Sequence, residues 1–338
     1  MRAAVLQKPG EIAVIDIPAP PPPGPGEIQL AVKAVGLCGS DLHAFRGHSP
    51  FFRYPGIIGH EAVGEIRAIG SGVAGLAIGD RAAMDPVISC GRCVACRKGR
   101  NNVCSSLKVR GAHADGAMCE LVNLPVDRVH LIPDGWSWDD AALIEPFTIA
   151  AQTMYRGRIA GDDRVVILGA GPIGLVVLQA IKTVGARALV CDVVEERLEL
   201  ARECGADIAV NTKKGDVVNE VLAFTDGEGA DVVVEGVGLP ELFDLAVDIA
   251  APTGRIVVLG FNADPARIAE LPVTKKELEI IGSRLHTNRF PQVIDWYRRR
   301  AVEPRKLISH VFACEEVGQA MKLFAQAPEI TCKIVLRF

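Results

Sequence analysis

Apolar and polar positions along the chain follow two different rhythms. Over residues 1–35, apolar stretches at 3–6, 12–17 and 28–35 alternate with glycine and proline, the pattern of antiparallel strands. The proline-rich run 18–25 predicts a stiff extended connector between two of them. Residues 61–81 predict further short strands, with turns at Gly64, Gly70, Gly72, Gly75 and Gly79. Residues 111–122 predict a loop and a strand, with Asp115-Gly116 as the turn. Residues 139–160 predict one helix that links two domains, with Ala141, Ala142, Ile149, Ala150 and Ala151 on its apolar face. From 161 to 282 the rhythm changes. Apolar strands at 165–168, 188–191, 208–210, 232–234, 256–259 and 278–281 alternate with amphipathic helices, which predicts a parallel, doubly wound sheet. Beyond residue 284 the pattern loosens to a helix at 291–300 and a final strand at 333–337, expected to return to the first domain.

A chain of 338 residues accommodates two domains with full cores. Its 49% hydrophobic and 23% charged residues suit a globular protein in water. A net charge of -4, without a long basic run, argues against nucleic acid or an anionic membrane as partner. Lys8, Pro9, Gly10 and Glu11 interrupt the first stretch, so no signal-peptide core is expected. The most apolar segment, 165–181, carries Gly169, Gly171, Pro172 and Gly174 and reads as strand, turn and helix rather than a lipid span. The expectation is a cytoplasmic protein.

The ten cysteines change the picture. Without a secretory leader they read as metal ligands and buried thiols, not as a disulfide framework. Cys90, Cys93, Cys96 and Cys104 form C-x2-C-x2-C-x7-C, a spacing that predicts four thiolates on one tetrahedral ion. A ferredoxin-type cluster needs its fourth cysteine after three residues and then a proline; here the gap is seven and Ser105 follows. Four thiolates on zinc leave a charge of about -2, which Arg92, Arg97, Lys98 and Arg100 offset. With all positions filled, this zinc is expected to be structural, in a lobe spanning 88–106.

Cys38, His60 and Glu61 form a second, mixed donor set of the kind zinc accepts, and three protein ligands leave a position open, as at catalytic sites. Farther along, Gly169-Ala170-Gly171-Pro172-Ile173-Gly174 is a G-x-G-x-x-G that follows a strand and opens a helix, where backbone amides receive a pyrophosphate. Asp192 ends the next strand, where a carboxylate accepts ribose hydroxyls and repels a 2′-phosphate, so NAD is expected rather than NADP. Arg197 is the opposing consideration; it is expected to stack on adenine or stay solvated.

Cys38-Gly39-Ser40-Asp41-Leu42-His43, Gly59-His60-Glu61, the four-cysteine lobe, Glu145-Pro146 and the Gly169 fingerprint occur in the order found in zinc-dependent medium-chain dehydrogenases. The chain resembles that family over essentially its whole length. Glu145 stands where ethanol-oxidising members carry a cysteine, as in the polyol branch, and 47–61 is similar to the starvation-sensing and L-galactonate, L-gulonate and L-idonate 5-dehydrogenase subgroup.

The resemblance implies a GroES-like β-barrel catalytic domain at 1–148 and 285–338, and a Rossmann NAD-binding domain at 149–284. It implies two zinc ions per chain, with Cys38, His60 and Glu61 on the catalytic one and Glu145 touching it directly or through water. It also implies oxidation of a secondary alcohol of a sugar acid or polyol to a ketone, hydride passing to NAD, with Ser40 and His43 relaying the proton. Arg53, Arg110, His113 and Arg284 are the candidates to hold a substrate carboxylate. A sorbitol-type polyol dehydrogenase and an L-threonine 3-dehydrogenase are the enzyme alternatives; a non-catalytic cofactor-binding protein is the remote one. Relatives of this kind are homodimers or homotetramers.

Overall fold

In the computed structural model, which describes Met1 to Phe338, strand Glu27–Gly36 is the spine of the first of two units. It is covered along both edges. Glu61–Ile69 pairs antiparallel along one; Leu121–Pro125 and then Lys333–Arg337 pair antiparallel along the other. Such a strand must be apolar on nearly every residue, and Ile28, Leu30, Val32, Ala34 and Val35 are all buried. The register sets Gly36 between Glu61 on one neighbour and Val335 on the other.

This unit comprises Met1–Pro146, Phe290–Arg299 and Leu307–Phe338. Its core packs Leu6, Ile58, Met84, Met118 and Leu336 around the spine, each apolar side chain contributing about 2 kcal/mol. The final strand thus joins the first unit's sheet, as its pattern implies, and holds the chain's end beside residues met near its start.

The second unit comprises Phe147–Arg289 and Arg300–Lys306. Its six strands are all parallel, in the spatial order Ile208–Asn211, Arg187–Asp192, Arg164–Leu168, Ala230–Glu235, Ala250–Val258, Glu279–Gly282. That is the doubly wound order whose reversal beside the first strand opens a crevice at the carboxyl ends. No helix of the chain is long and apolar enough to cross a membrane.

Two local expectations are corrected. The helix expected over 139–160 is two, Trp138–Ala141 and Ile144–Gly157. Pro146 has no N–H to give the Ala142 carbonyl, so the ladder stops and restarts with proline in a first turn, where a missing donor is harmless. Residues 61–81 begin with one nine-residue strand, Glu61–Ile69. Gly64 lies inside it, marking close backbone approach rather than a turn: a Cβ there would lie 2.1 Å from the Ala31 carbonyl oxygen. In 111–122 the strand starts only at Leu121, because the preceding stretch runs against 57–59. Gly116, Met118 and Ala117 donate to the carbonyls of Ile57, Ile58 and Gly59.

Candidate functional site

Two turns of the first unit bring the mixed donor set together. Cys38 caps helix Gly39–Phe45, and Asp41 in its first turn accepts the Cys38 N–H through Oδ2 at 2.9 Å. The other Asp41 oxygen accepts the Gly59 N–H at 3.0 Å. One buried carboxylate therefore ties the turn bearing Cys38 to the turn bearing His60. Gly59 has φ +91°, and a Cβ there would lie 2.6 Å from Met118 Cγ, so the turn requires glycine.

The donor atoms of Cys38, His60 and Glu61 all lie within 4.8 Å of one another. His60 is buried, and its Nδ1 has no hydrogen-bond partner, standing 3.9 Å from Asp41 Oδ1. Burial pushes the imidazolium down, yet the Cys38 thiolate, Asp41 and Glu145 together lift its pKa well above the ordinary value. An imidazole with an unused buried nitrogen, set among anions that favour positive charge there, marks a site that calls for a cation, and sulfur, nitrogen and oxygen donors fit zinc. Glu145 is buried in the first turn of its helix and lies outside the 4.8 Å set, acting on His60 through its charge.

Spacing along the chain did not reveal one further member. Lys333, buried on the final strand, donates to Glu61 Oε1 at 2.5 Å, to Glu61 Oε2, and to the Leu37 carbonyl at 3.0 Å. Burial opposes its charge, but Glu61, Cys38 and Glu145 raise its pKa, so it remains an ammonium. Glu61 itself lies against Gly36, where a Cβ would sit 2.2 Å from Glu61 Oε2. Removing one partner of such a buried pair costs about 3–5 kcal/mol. The pair spans 272 residues of sequence, and the only hint available was a lysine at the head of an otherwise apolar strand.

The four-cysteine lobe is organised differently. Cys90, Cys93, Cys96 and Cys104 bring their sulfurs within 4.8 Å of one another. Backbone N–H groups point at them: Cys90 to Cys104 Sγ at 3.3 Å, Cys93 to Cys90 Sγ at 3.4 Å, Ser106 to Cys104 Sγ at 3.4 Å. The amides of Cys96 and Ser105 pull the Cys93 thiol down to about 5, while desolvation and the neighbouring thiols push Cys96 up to about 11. Four sulfurs gathered this closely, with backbone amides directed at them, fit a tetrahedral dication.

In the second unit, Gly169, Gly171, Pro172, Ile173, Gly174, Asp192 and Arg197 line one cavity of about 480 Å³ at the carboxyl ends of the strands. Gly174 must lack a side chain, since a Cβ would lie 1.9 Å from the Gly169 carbonyl oxygen. Around Gly171 that space is open, at the start of helix Pro172–Lys182. Such an arrangement receives a pyrophosphate. Asp192 also fastens the glycine turn, accepting the Ala170 N–H at 2.8 Å through Oδ2 and the Val193 and Val194 N–H groups through Oδ1. Arg197 stands 3.9 Å from Asp192 Oδ2.

A model of the alcohol dehydrogenase GroES-like domain matches residues 24–134, and one of the zinc-binding dehydrogenase matches 172–299. The starvation-sensing protein RspB of Escherichia coli is 41% identical over 345 residues, covering 100% of this chain and 99% of that protein. The chain belongs to the zinc-binding alcohol dehydrogenase family. Sorbitol dehydrogenase of Bacillus subtilis is 32% identical (99% and 97% covered) and L-idonate 5-dehydrogenase of Vitis vinifera 32% (89% and 85%). The crystal structure of RspB from E. coli CFT073, complexed with NADH, superposes with a TM-score of 0.94 at 40% identity, covering 100% of this chain and 99% of that one.

This zinc-binding dehydrogenase is therefore an oxidoreductase that uses zinc and a nicotinamide dinucleotide. Within its first unit, Ser40 and His43 are exposed on one side of helix Gly39–Phe45. The four basic candidates go to different places. The loop carrying Arg53 is fastened to that same helix, Tyr54 Oη donating to the Ala44 carbonyl at 2.5 Å. Arg53 itself is exposed. His113 stacks on Phe51 of that loop, centroids 4.8 Å apart, and its Nδ1 accepts the Val109 N–H. Arg110 donates through Nη2 to the Asn123 carbonyl at 3.1 Å. Arg284 belongs to the second unit, its guanidinium 5.5 Å from the Phe261 ring.

Proposed function

We propose that this dehydrogenase oxidises a secondary hydroxyl of a sugar acid to a ketone with NAD, as an aldonate 5-dehydrogenase. When bound, zinc polarises the alcohol and the dinucleotide accepts the hydride. Cys38, His60 and Glu61 are the residues that would hold that zinc, with Glu145 approaching it directly or through water. Ser40 takes up the hydroxyl proton, and the exposed imidazole of His43 passes it on to solvent. Both are exposed with no hydrogen bond between them, so the relay needs a bridging hydroxyl. Cys90, Cys93, Cys96 and Cys104 hold the structural zinc. Gly169, Gly171, Pro172, Ile173 and Gly174 seat the pyrophosphate, and Arg197 flanks the adenine side. Asp192 disfavours a 2′-phosphate and so selects NAD.

The observation that carries the sugar-acid reading is the loop of Phe51–Tyr54. It is tied to the helix of Ser40 and His43 by Tyr54, stacked on His113, and presents the exposed Arg53. A cation placed there suits a carboxylate a few carbons from the reacting hydroxyl. The resemblance to L-idonate 5-dehydrogenase is of the same sense. A panel of aldonates, neutral polyols and L-threonine, followed by NADH absorbance, tests the class. Arg53→Ala should raise KM for the aldonate about tenfold or more and leave KM for the matching polyol within about twofold. Equal effects on both would favour a polyol dehydrogenase.

A further inference from the structure

We propose that Lys333 is a positioning residue for the zinc chemistry: the counter-cation of Glu61, which keeps the metal electrophilic beside two carboxylates. The inference rests on Cys38 and His60 being zinc ligands. Three observations carry it. First, all three ammonium donors are committed, to both oxygens of Glu61 and to the Leu37 carbonyl, so the charge is aimed at one carboxylate. Second, the fold makes room for it. Gly36 pairs with Glu61 on one neighbouring strand and with Val335, two residues past Lys333, on the other, and a Cβ on Gly36 would lie 2.2 Å from Glu61 Oε2. Third, the strand does not otherwise call for a lysine. Ile334, Val335 and Leu336 are wholly buried apolar residues, and Lys333 itself is 3% exposed.

The charge count says what the lysine does. A thiolate from Cys38 and a carboxylate from Glu61 neutralise a zinc dication. Glu145, buried in the first turn of helix Ile144–Gly157, would add a further negative charge on approaching the ion. Unopposed, that excess tightens the metal and weakens its pull on an alcohol oxygen. Lys333 offsets it by drawing electron density from Glu61 away from the ion. The expected signature is an inverse one: losing the lysine should hold zinc more tightly and make turnover slower. A residue that only supported the fold would weaken both.

The test uses the full-length holoenzyme. Release of both zinc ions to the chelator 4-(2-pyridylazo)resorcinol is followed for wild type, Lys333→Met, Glu61→Gln and the double variant, and kcat is measured alongside. In Lys333→Met, zinc should leave the Cys38–His60 site about tenfold more slowly and kcat should fall about tenfold, the range of outer partners of metal ligands. Release from the four-cysteine lobe should be unchanged, which reports that the fold is intact. Lys333→Arg should recover most of the turnover. Unchanged or faster release from the Cys38–His60 site in Lys333→Met would overturn the inference. If Lys333→Met does not fold, the comparison of Glu61→Gln with the double variant decides: equal release supports action through Glu61, and unequal release contradicts it. A wild-type chain carrying zinc in the lobe alone would defeat the reading of the site itself. Two zinc ions with release unaltered in Lys333→Met would defeat only the role of the lysine.

Discussion

The two donor clusters of the first unit that could hold a metal ion are assembled in opposite ways. The lobe draws four like ligands from fifteen consecutive residues, Cys90 to Cys104, and its backbone amides ease the thiols toward ionisation. Everything that shapes it is local. The other cluster draws unlike ligands from Cys38, His60 and Glu61, spaces them with a carboxylate from Asp41, and neutralises one with a lysine from the far end of the chain. A local, closed set suits a metal that staples. An assembled set, with charges of both signs at its border, suits a metal whose electrophilicity must be tuned.

The contrast can be broken by a matched pair of substitutions. Cys38→Ser should cut turnover about 10³-fold, the several kcal/mol that metal polarisation supplies, while the melting temperature changes little. Cys96→Ser should do the reverse, lowering the melting temperature by roughly 10 °C or more as the lobe loses its metal, with kcat of the folded enzyme largely kept. Calorimetry and NADH absorbance check both, and similar profiles for the two would erase the distinction. A smaller effect sharpens it. Gly36→Ala puts a methyl group against the Glu61 carboxylate that Lys333 holds, and should lower kcat about tenfold while the lobe's zinc content stays at one per chain. Metal analysis beside steady-state kinetics reads this out, and an unaltered kcat would show that the Lys333–Glu61 contact is dispensable.

The same contrast explains what could be read from the amino-acid order. The lobe was legible because its ligands are close in sequence and their spacing is itself the signal. The cofactor turn was legible for the same reason: Gly169, Gly171 and Gly174 answer to steric demands within one strand–turn–helix unit. The parallel sheet followed from runs of buried residues such as Val165–Leu168, which are apolar on both faces. What escaped depends on tertiary register. Gly64 looked like a turn but marks two strands pressed together. The helix across 139–160 looked continuous, although Pro146 withholds the bond that would join its halves. Lys333 offered only the hint of a charge at the head of an apolar strand, because its partner is supplied by strand order.

The most direct measurement is zinc content against rate as the holoenzyme is stripped with a chelator. Turnover should disappear with the loss of one zinc per chain, while the chain stays folded on the zinc held by its four cysteines, and re-adding zinc should restore it. Full turnover by a chain left with a single, lobe-bound zinc would contradict the account.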